Sequence, residues 1–178
     1  AVTDRPYDLY AAAQYLRGRP NVHPDCIYML GWSHGGTAVL SAASSTWPFA
    51  TAIPFAAAAV FYPGCGMDSA YGGLSRSTYC PYLPLLISHG SLDPLYTSGN
   101  CDTRIQRAQA VCPAGPQFTM TVYQGAQHSF DEATPEKVIS GDFTSFDLTA
   151  RNSGDNASRT WFRALTRCTT PPAQSSKP

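Results

Sequence analysis

The chain has 178 residues, with 12 lysines and arginines against 12 aspartates and glutamates, so its formal net charge is zero. Hydrophobic residues make up 43% of it and charged residues only 13%, which favours a globular domain with a real core and excludes a disordered chain. A neutral chain with scattered arginines lacks the electrostatic signature of a nucleic-acid-binding or membrane-surface protein. We therefore expect neither nucleic acid nor a membrane as a partner.

The cysteine content indicates an oxidising compartment. No two cysteines form a C-x-x-C pair and no histidine pair has zinc-finger spacing, so a structural metal site is a poor interpretation. An even number in a lysine-poor chain favours three disulfides and a secreted or periplasmic protein, and buried thiols in a cytosolic enzyme are the alternative. The sequence does not choose among the pairings of Cys26, Cys65, Cys80, Cys101, Cys112 and Cys168.

Four short apolar segments predict the strands of a mostly parallel sheet. They lack the polar–apolar alternation of half-exposed strands and end at glycine, proline or polar residues. The alanine-rich one rests on its length and on the Pro63-Gly64 stop, because alanine favours helix. The four segments cover 26–30, 56–62, 85–88 and 118–123.

Helical segments alternate with these strands, over 8–17, 37–45, 103–111 and 158–165. Alternation of this kind predicts the α/β class, with a mostly parallel sheet flanked by helices. We expect a single domain over residues 1–168 and a disordered Pro/Ser-rich tail over 169–178. The segment 65–84 is expected to be a loop whose aromatic residues either line a substrate cleft or pack in the core or on the surface; they are Tyr71, Tyr79 and Tyr82.

The segment Gly31-Trp32-Ser33-His34-Gly35 matches G-x-S-x-G between a predicted strand and a predicted helix. That context is typical of a nucleophile elbow, a strained turn that raises the serine hydroxyl above the sheet edge. The small residues Gly31 and Gly35, two positions before and after Ser33, would let the strand and the helix of the turn approach each other closely. The helix end and the backbone N–H of His34 can stabilise an oxyanion. The alternative is an ordinary glycine-rich turn.

A nucleophilic serine needs a base and an orienting acid. Asp93 follows the third predicted strand and His128 follows the fourth, so both are expected at the same sheet edge as Ser33. The order serine, acid, histidine is also the order that accompanies this motif. The sequence therefore predicts Ser33 as nucleophile, Asp93 as acid and His128 as base.

Other acidic and histidine residues compete for these roles. Asp102 lies inside a predicted helix, and Asp131 follows His128 so closely that capping or a salt bridge is the better interpretation. His89 is expected to be a hydrogen-bonded residue at a strand end, and His23 a surface turn residue. The side chain of His34 is expected to matter less than its backbone.

The segments 27–36, 59–65, 90–93 and 123–131 resemble the α/β-hydrolase superfamily, most closely its dienelactone hydrolase-like branch, within a likeness that covers 8–165. The resemblance implies the α/β-hydrolase fold and ester hydrolysis through an acyl-enzyme, with the triad named above. It implies no metal and no organic cofactor, and a small-molecule ester as substrate. Trp32, beside the nucleophile, is a candidate substrate contact.

Two departures from that family matter. The best-known dienelactone hydrolases use a cysteine nucleophile where this chain has Ser33, which shifts the expectation toward general esters. The family also places several strands before the first helix, including a loop that supplies a second oxyanion-hole N–H. We therefore expect the functional protein to contain additional N-terminal polypeptide that completes the fold.

Two alternatives remain open at this stage. Gly31-Trp32-Ser33-His34-Gly35-Gly36 also suits a prolyl-oligopeptidase-like peptidase, although the chain shows no propeller sequence. A non-catalytic hydrolase-fold fragment or binding protein is the second alternative, favoured by the absent N-terminal strands and opposed by the complete triad order.

Overall fold

The computed structural model describes residues 4–66, 79–112, 118–132 and 146–165, together with the backbone of 137–139 and 142–144. Within them, four parallel strands form one sheet in the order β1-β2-β3-β4, each pairing with the next in the chain. The predicted parallel sheet is confirmed. Its strands are β1 Tyr28–Trp32, β2 Ala57–Phe61, β3 Leu85–Gly90 and β4 Phe118–Tyr123.

The helices include each predicted one, with different bounds, and one short addition. They are α1 Arg5–Arg17, α2 Ser33–Ala42, α3 Pro94–Thr97, α4 Asn100–Val111 and α5 Leu148–Ala164. An antiparallel pair that was not predicted, β5 Lys137–Ile139 and β6 Asp142–Thr144, lies between β4 and α5. The alternation of strands and helices gives the α/β class expected from the sequence.

Helix α5 begins at Leu148 rather than at the predicted Ser158. Its N-cap is Asp147, whose carboxylate accepts a 2.9 Å hydrogen bond from the Ala150 N–H. The buried face of α5 carries small residues, and a Cβ at Gly154 would lie 2.7 Å from the Phe61 ring. Small side chains on this face let α5 pack closely against Phe61.

The alanine-rich strand β2 lies at the centre of the core, and every one of its residues is buried. Small side chains on β2 suit a strand covered on both faces, which explains why alanine forms a strand here despite its helical preference. Tyr79 is 3% exposed and its hydroxyl donates to the Leu40 carbonyl, so this aromatic residue packs in the core rather than in a cleft. Tyr82 also packs against the core, while Tyr71 lies outside the described residues.

Strand β1 is an edge of the sheet, with no partner strand on its outer side among the residues that the structure describes. Its burial alternates, and Leu30 and Trp32 are 45% and 42% exposed. These two side chains line an apolar groove with Leu9, Gly35 and Ala38. An unpaired edge beside exposed apolar side chains is a surface that proteins normally cover.

Two disulfides tie the segment between β2 and β3 to α4. Cys65, after β2, is bonded to Cys101 in α4, and Cys80 is bonded to Cys112. Cys26 is disulfide-bonded as well, and the described part of the chain contains no free cysteine. Most of the predicted loop, 67–78, and the predicted tail, 169–178, lie outside the described residues. Of the helices that the structure describes, none has the length and hydropathy to cross a membrane.

Candidate active site

Ser33 lies at the junction of β1 and α2, with a left-handed backbone conformation, φ 47°. A Cβ at Gly31 would lie 2.7 Å from the Gly35 carbonyl oxygen, so glycine at 31 is required by the close approach of the turn. For Gly35 the expected crowding is not found: a Cβ there would meet nothing within 4 Å among the described residues. The difference arises because Gly35 faces the open groove beside β1.

The structure brings the three predicted site residues into one hydrogen-bonded chain. The Ser33 hydroxyl lies 2.9 Å from His128 Nε2, to which it donates, and His128 Nδ1 lies 3.0 Å from Asp93 Oδ2, to which it donates in turn. Asp93 is fully buried and His128 is 7% exposed, so both contacts are largely removed from water. In this arrangement the imidazole can take a proton from the serine hydroxyl while the carboxylate stabilises the resulting cation.

Asp93 is held in place by its own local structure. It is the N-cap of α3, with Pro94 at the first helical position, and its Oδ1 accepts a 2.8 Å hydrogen bond from the Leu95 N–H. Burial raises the pKa of Asp93, but the interactions with His128 and His89 and the Leu95 N–H outweigh it. Its pKa is therefore about 2, below the usual 3.8.

The loops that carry Asp93 and His128 are joined through their backbones. The Leu92 N–H donates to the Ala126 carbonyl at 2.9 Å, and the Ser91 N–H donates to the Tyr123 carbonyl at 3.0 Å. A Cβ at Gly90 would overlap the Ala126 carbonyl, so only glycine permits this approach. The separation of the acid and the base is thus set by main-chain contacts at the ends of β3 and β4.

A second polar group, centred on Asp131, lies beside His128. The Trp32 Nε1–H donates a 2.6 Å hydrogen bond to Asp131 Oδ2, and the Tyr62 hydroxyl donates to Asp131 Oδ1. The Tyr62 ring meets the His128 ring edge-on, with centroids 4.7 Å apart. Burial and the hydrogen bond to Asp131 both raise the pKa of Tyr62. Within the residues that the structure describes, Asp131 therefore accepts from two neutral side chains and not from the helix end or cation that the sequence interpretation expected.

Backbone strain is concentrated at this site. Among the residues that the structure describes, the non-glycine residues with positive φ are Ser33, Tyr62 at 39° and Ser129 at 57°. Each such conformation costs on the order of 1–3 kcal/mol, and persists only where surrounding contacts fix it. One of these residues is the candidate nucleophile, one contacts the candidate base, and one follows the base in the chain.

The remaining candidates fall in different places. Trp32 stacks on Phe61 with ring centroids 5.8 Å apart, and its indole is partly exposed beside Ser33. His34 is the second residue of α2, where backbone N–H groups lack partners within the helix, and its side chain is exposed. Asp102 lies in the first turn of α4 and does not contact His128.

Sequence reasoning gave Tyr62, His89 and Asp131 no part in the site. Tyr62 simply follows a buried strand, and neither its positive φ nor its approach to His128 is visible in the sequence. The partners of Asp131 lie 99 and 69 positions away in the chain. Asp93 lies only four positions after His89, and their contact depends on the turn after β3. The sequence signal that could have found Tyr62 and Asp131 is their position. They follow the carboxyl ends of β2 and β4, at the same sheet edge as Ser33.

The described residues include one group that could offer metal ligands, formed by Cys65, His89 and Cys101. Its two sulfur atoms are joined in a disulfide, so they have no thiolate to offer an ion. The group instead lies behind Asp93, because His89 contacts that carboxylate.

Residues 3–166 match the sequence model of the dienelactone hydrolase family. No curated protein matches the chain. Similar solved structures include a dienelactone hydrolase-like promiscuous phosphotriesterase from metagenomic libraries, with 20% identity, TM-score 0.63, and coverage of 90% of this chain and 61% of that one. Esterase 2 of Thermogutta terrifontis has 18% identity and TM-score 0.65, covering 92% of this chain and 65% of its own.

A third similar structure is dipeptidyl peptidase 4 of Porphyromonas gingivalis, with 16% identity, TM-score 0.65, and coverage of 90% of this chain and 22% of that one. At these identities the likeness establishes the α/β-hydrolase fold alone. The chain spans less than two thirds of the length of each of these three proteins.

Proposed function

This chain belongs to the dienelactone hydrolase family, and we propose that it carries the catalytic triad of a serine hydrolase that cleaves carboxylic esters. The observation that carries the proposal is the hydrogen-bonded chain from Ser33 through His128 to buried Asp93. Ser33 in the position of the family's cysteine favours general esters over a dienelactone. The substrate is a small molecule.

The chemistry proceeds through an acyl-enzyme. Ser33 Oγ attacks the ester carbonyl while His128 Nε2 takes its proton, and His128 then returns that proton to the departing alkoxide, which leaves as the alcohol. A water molecule, deprotonated by His128, attacks the acyl-serine and releases the carboxylic acid and free Ser33. Asp93 holds the imidazole in the tautomer that has its proton on Nδ1, and stabilises the imidazolium.

The negative charge that develops on the carbonyl oxygen needs N–H donors. The backbone N–H of His34, in the first turn of α2, is the donor we assign within this chain. Trp32 is partly exposed beside Ser33, and we assign it to the wall that contacts the substrate. Neither role requires a metal ion or an organic cofactor.

Further polypeptide of the full-length protein covers the outer edge of β1 in this proposal. The exposed Leu30 and Trp32 and the open space beside Gly35 support it. Hydrogen exchange of the β1 amides in the full-length protein tests it. Slow exchange at every position of 28–32 is expected, whereas rapid exchange of the amides that do not bond to β2 would refute the covered edge.

The disulfides support an oxidising location, and we propose a secreted or periplasmic protein. Alkylation of the native, non-reduced protein is expected to label no cysteine. Labelling of most of the six cysteines without prior reduction would contradict this location.

Parallel assays with short aryl esters and with proline-containing amides test the reaction class. Ester cleavage that is lost in Ser33→Ala, and retained in the exposed α5 control Ser153→Ala, is the expected result. Amide cleavage at a comparable or higher kcat/KM would favour the peptidase alternative. Activity unchanged in Ser33→Ala would instead favour a non-catalytic chain with a contaminating esterase.

A further inference from the structure

His89 is an imidazole fully buried between two groups that accept hydrogen bonds. It lies in β3 and is 0% exposed. Its Nδ1 is 3.3 Å from Asp93 Oδ2, the same oxygen that accepts from His128 at 3.0 Å. Its Nε2 is 3.3 Å from the sulfur of Cys101. One carboxylate oxygen therefore faces two imidazoles.

The chemistry of these neighbours fixes the proton on His89. The sulfur of Cys101 is bonded to Cys65 and has no hydrogen, so it can only accept, and an ionised carboxylate can only accept as well. A neutral imidazole has a single N–H, and the charged carboxylate is the stronger acceptor. The stronger acceptor therefore favours the proton of His89 on Nδ1, 3.3 Å from Asp93 Oδ2, where the ring is not aligned for a full hydrogen bond. The contact from His89 is thus a close polar contact beside the 3.0 Å hydrogen bond from His128.

The disulfide prevents His89 from moving away from Asp93. Cys101 lies in the first turn of α4, and Arg104 of the same helix donates its Nε–H to the Cys65 carbonyl at 3.0 Å, so Cys65 is held to α4 at two points. Arg104 is itself only 2% exposed. The Tyr96 ring lies on another side of His89, with centroids 5.6 Å apart. These contacts form a rigid wall behind the imidazole.

We propose that His89, backed by the Cys65–Cys101 disulfide, is a positioning residue that fixes the Asp93 carboxylate for its hydrogen bond with His128. The inference rests on the proposed function, since it assigns a task within the triad. In this role the His89 N–H beside Asp93 Oδ2 both fixes the orientation of the carboxylate and reduces the negative charge that His128 experiences. The groups that face His128 are Asp93, Ser33 and the ring of Tyr62. The hydroxyl of Tyr62 donates a hydrogen bond to Asp131.

Two variants of the full-length protein separate this role from packing. His89→Asn keeps an N–H donor near the Nδ1 position, and His89→Leu fills the space without a donor. We expect kcat to fall about tenfold or more in His89→Leu with KM unchanged, and to recover largely in His89→Asn. The acidic limb of the kcat/KM profile should move to higher pH in His89→Leu alone, because His128 then faces the undiminished charge of Asp93.

A merely structural role would lower the amount of active protein in both variants without moving the acidic limb. Equal losses in the two variants, or wild-type profiles in both, would overturn the proposal. Titration with a fluorophosphonate probe gives the concentration of active sites, so that kcat is expressed for folded molecules only.

A measurement on the unaltered protein covers the case in which His89→Leu fails to fold. Nitrogen-15 spectra of the histidine rings at pH 7 should show His89 protonated on Nδ1, and protonation on Nε2 alone would overturn the proposal. This readout does not depend on turnover. If wild-type protein neither hydrolyses esters nor reacts with the probe, the proposed function fails, while the His89 tautomer still reports on the contact with Asp93.

Discussion

The Trp32 indole N–H and the Asp131 carboxylate are joined by a 2.6 Å hydrogen bond, although 99 positions separate them in the chain. Trp32 immediately precedes the candidate nucleophile, and Asp131 follows the candidate base His128 by three positions. The bond therefore connects the β1–α2 turn to the loop after β4. Because Tyr62 donates to the same carboxylate and contacts the His128 ring, Asp131 links both sides of the site.

Replacing Asp131 tests this link. In Asp131→Asn the neutral amide has one carbonyl oxygen for two donors, so either Trp32 or Tyr62 loses its partner. We expect kcat for ester hydrolysis to fall by about tenfold, because losing either bond lets the turn that carries Ser33 shift relative to the loop that carries His128. The adjacent exposed residue supplies the control, and Glu132→Gln should match wild type. Equal activity in Asp131→Asn and wild type would contradict the linking role.

The two candidate acids can be compared directly. Asp93→Asn removes the charge that holds His128 in its working tautomer, and kcat should fall by about 10⁴-fold, as in other serine triads. Asp102→Asn, in the first turn of α4, should change kcat by less than about twofold, because the described structure shows no hydrogen bond or ion pair between Asp102 and the three site residues. Steady-state kinetics with an aryl ester measures both. A larger loss in Asp102→Asn than in Asp93→Asn would show that the acid has been misassigned.

Acid stability should also depend on Asp93. Its folded-state pKa of about 2 lies below the usual 3.8, so in this pH range the unfolded chain binds more protons than the folded one. The contribution, about 2 kcal/mol, is therefore complete above pH 5 and is lost as the pH falls from 4 toward 2.

Urea unfolding of wild type and Asp93→Asn at several pH values isolates the contribution of Asp93. The other titratable groups are present in both proteins, so their pH dependence cancels in the difference between the two free energies of unfolding. The free energy of unfolding of wild type should decrease relative to the variant by about 2 kcal/mol between pH 5 and pH 2. A difference between the two proteins that stays constant over this range would show that the carboxylate is not stabilised in its charged form.

The tight turn before the nucleophile gives a prediction on stability. A Cβ at Gly31 would lie 2.7 Å from the Gly35 carbonyl, so Gly31→Ala should cost roughly 1–3 kcal/mol and displace Ser33. Gly18→Ala is the matched control, because a Cβ there meets only Tyr15, at an ordinary 3.6 Å. Urea unfolding measures both variants. A Gly31→Ala protein as stable and as active as Gly18→Ala would refute the crowded turn.

The parts of the fold that could be predicted from the sequence are those indicated by residues adjacent in the chain. The strands and their parallel order follow from short apolar runs that alternate with helical segments, and the segment around Ser33 has a motif of its own. Asp93 and His128 could be chosen because each follows a strand, and parallel strands bring their ends to one edge. The start of α5 was missed because residues 152–156, Gly154 among them, are weak helix formers, so local propensity did not indicate a helix there.

Contacts between distant residues were beyond reach for a physical reason. Asp93 lies only four positions after His89, but whether the two side chains meet depends on the turn after β3 and on a disulfide, Cys65–Cys101, whose pairing the sequence left open. Likewise, Asp131 accepts from Trp32 and Tyr62 only because the loops after β1, β2 and β4 converge. Such contacts depend on tertiary geometry, and neither composition nor periodicity encodes them.

The most direct test of the account is the reaction of the native full-length protein with a fluorophosphonate probe, followed by intact mass and peptide mapping. Heat-denatured protein and Ser33→Ala serve as controls. We predict a single adduct on Ser33 that is absent from both controls, because only an assembled chain of Ser33, His128 and Asp93 activates the hydroxyl. An unmodified native protein, or an adduct on another serine, would contradict the assignment of Ser33 as the nucleophile.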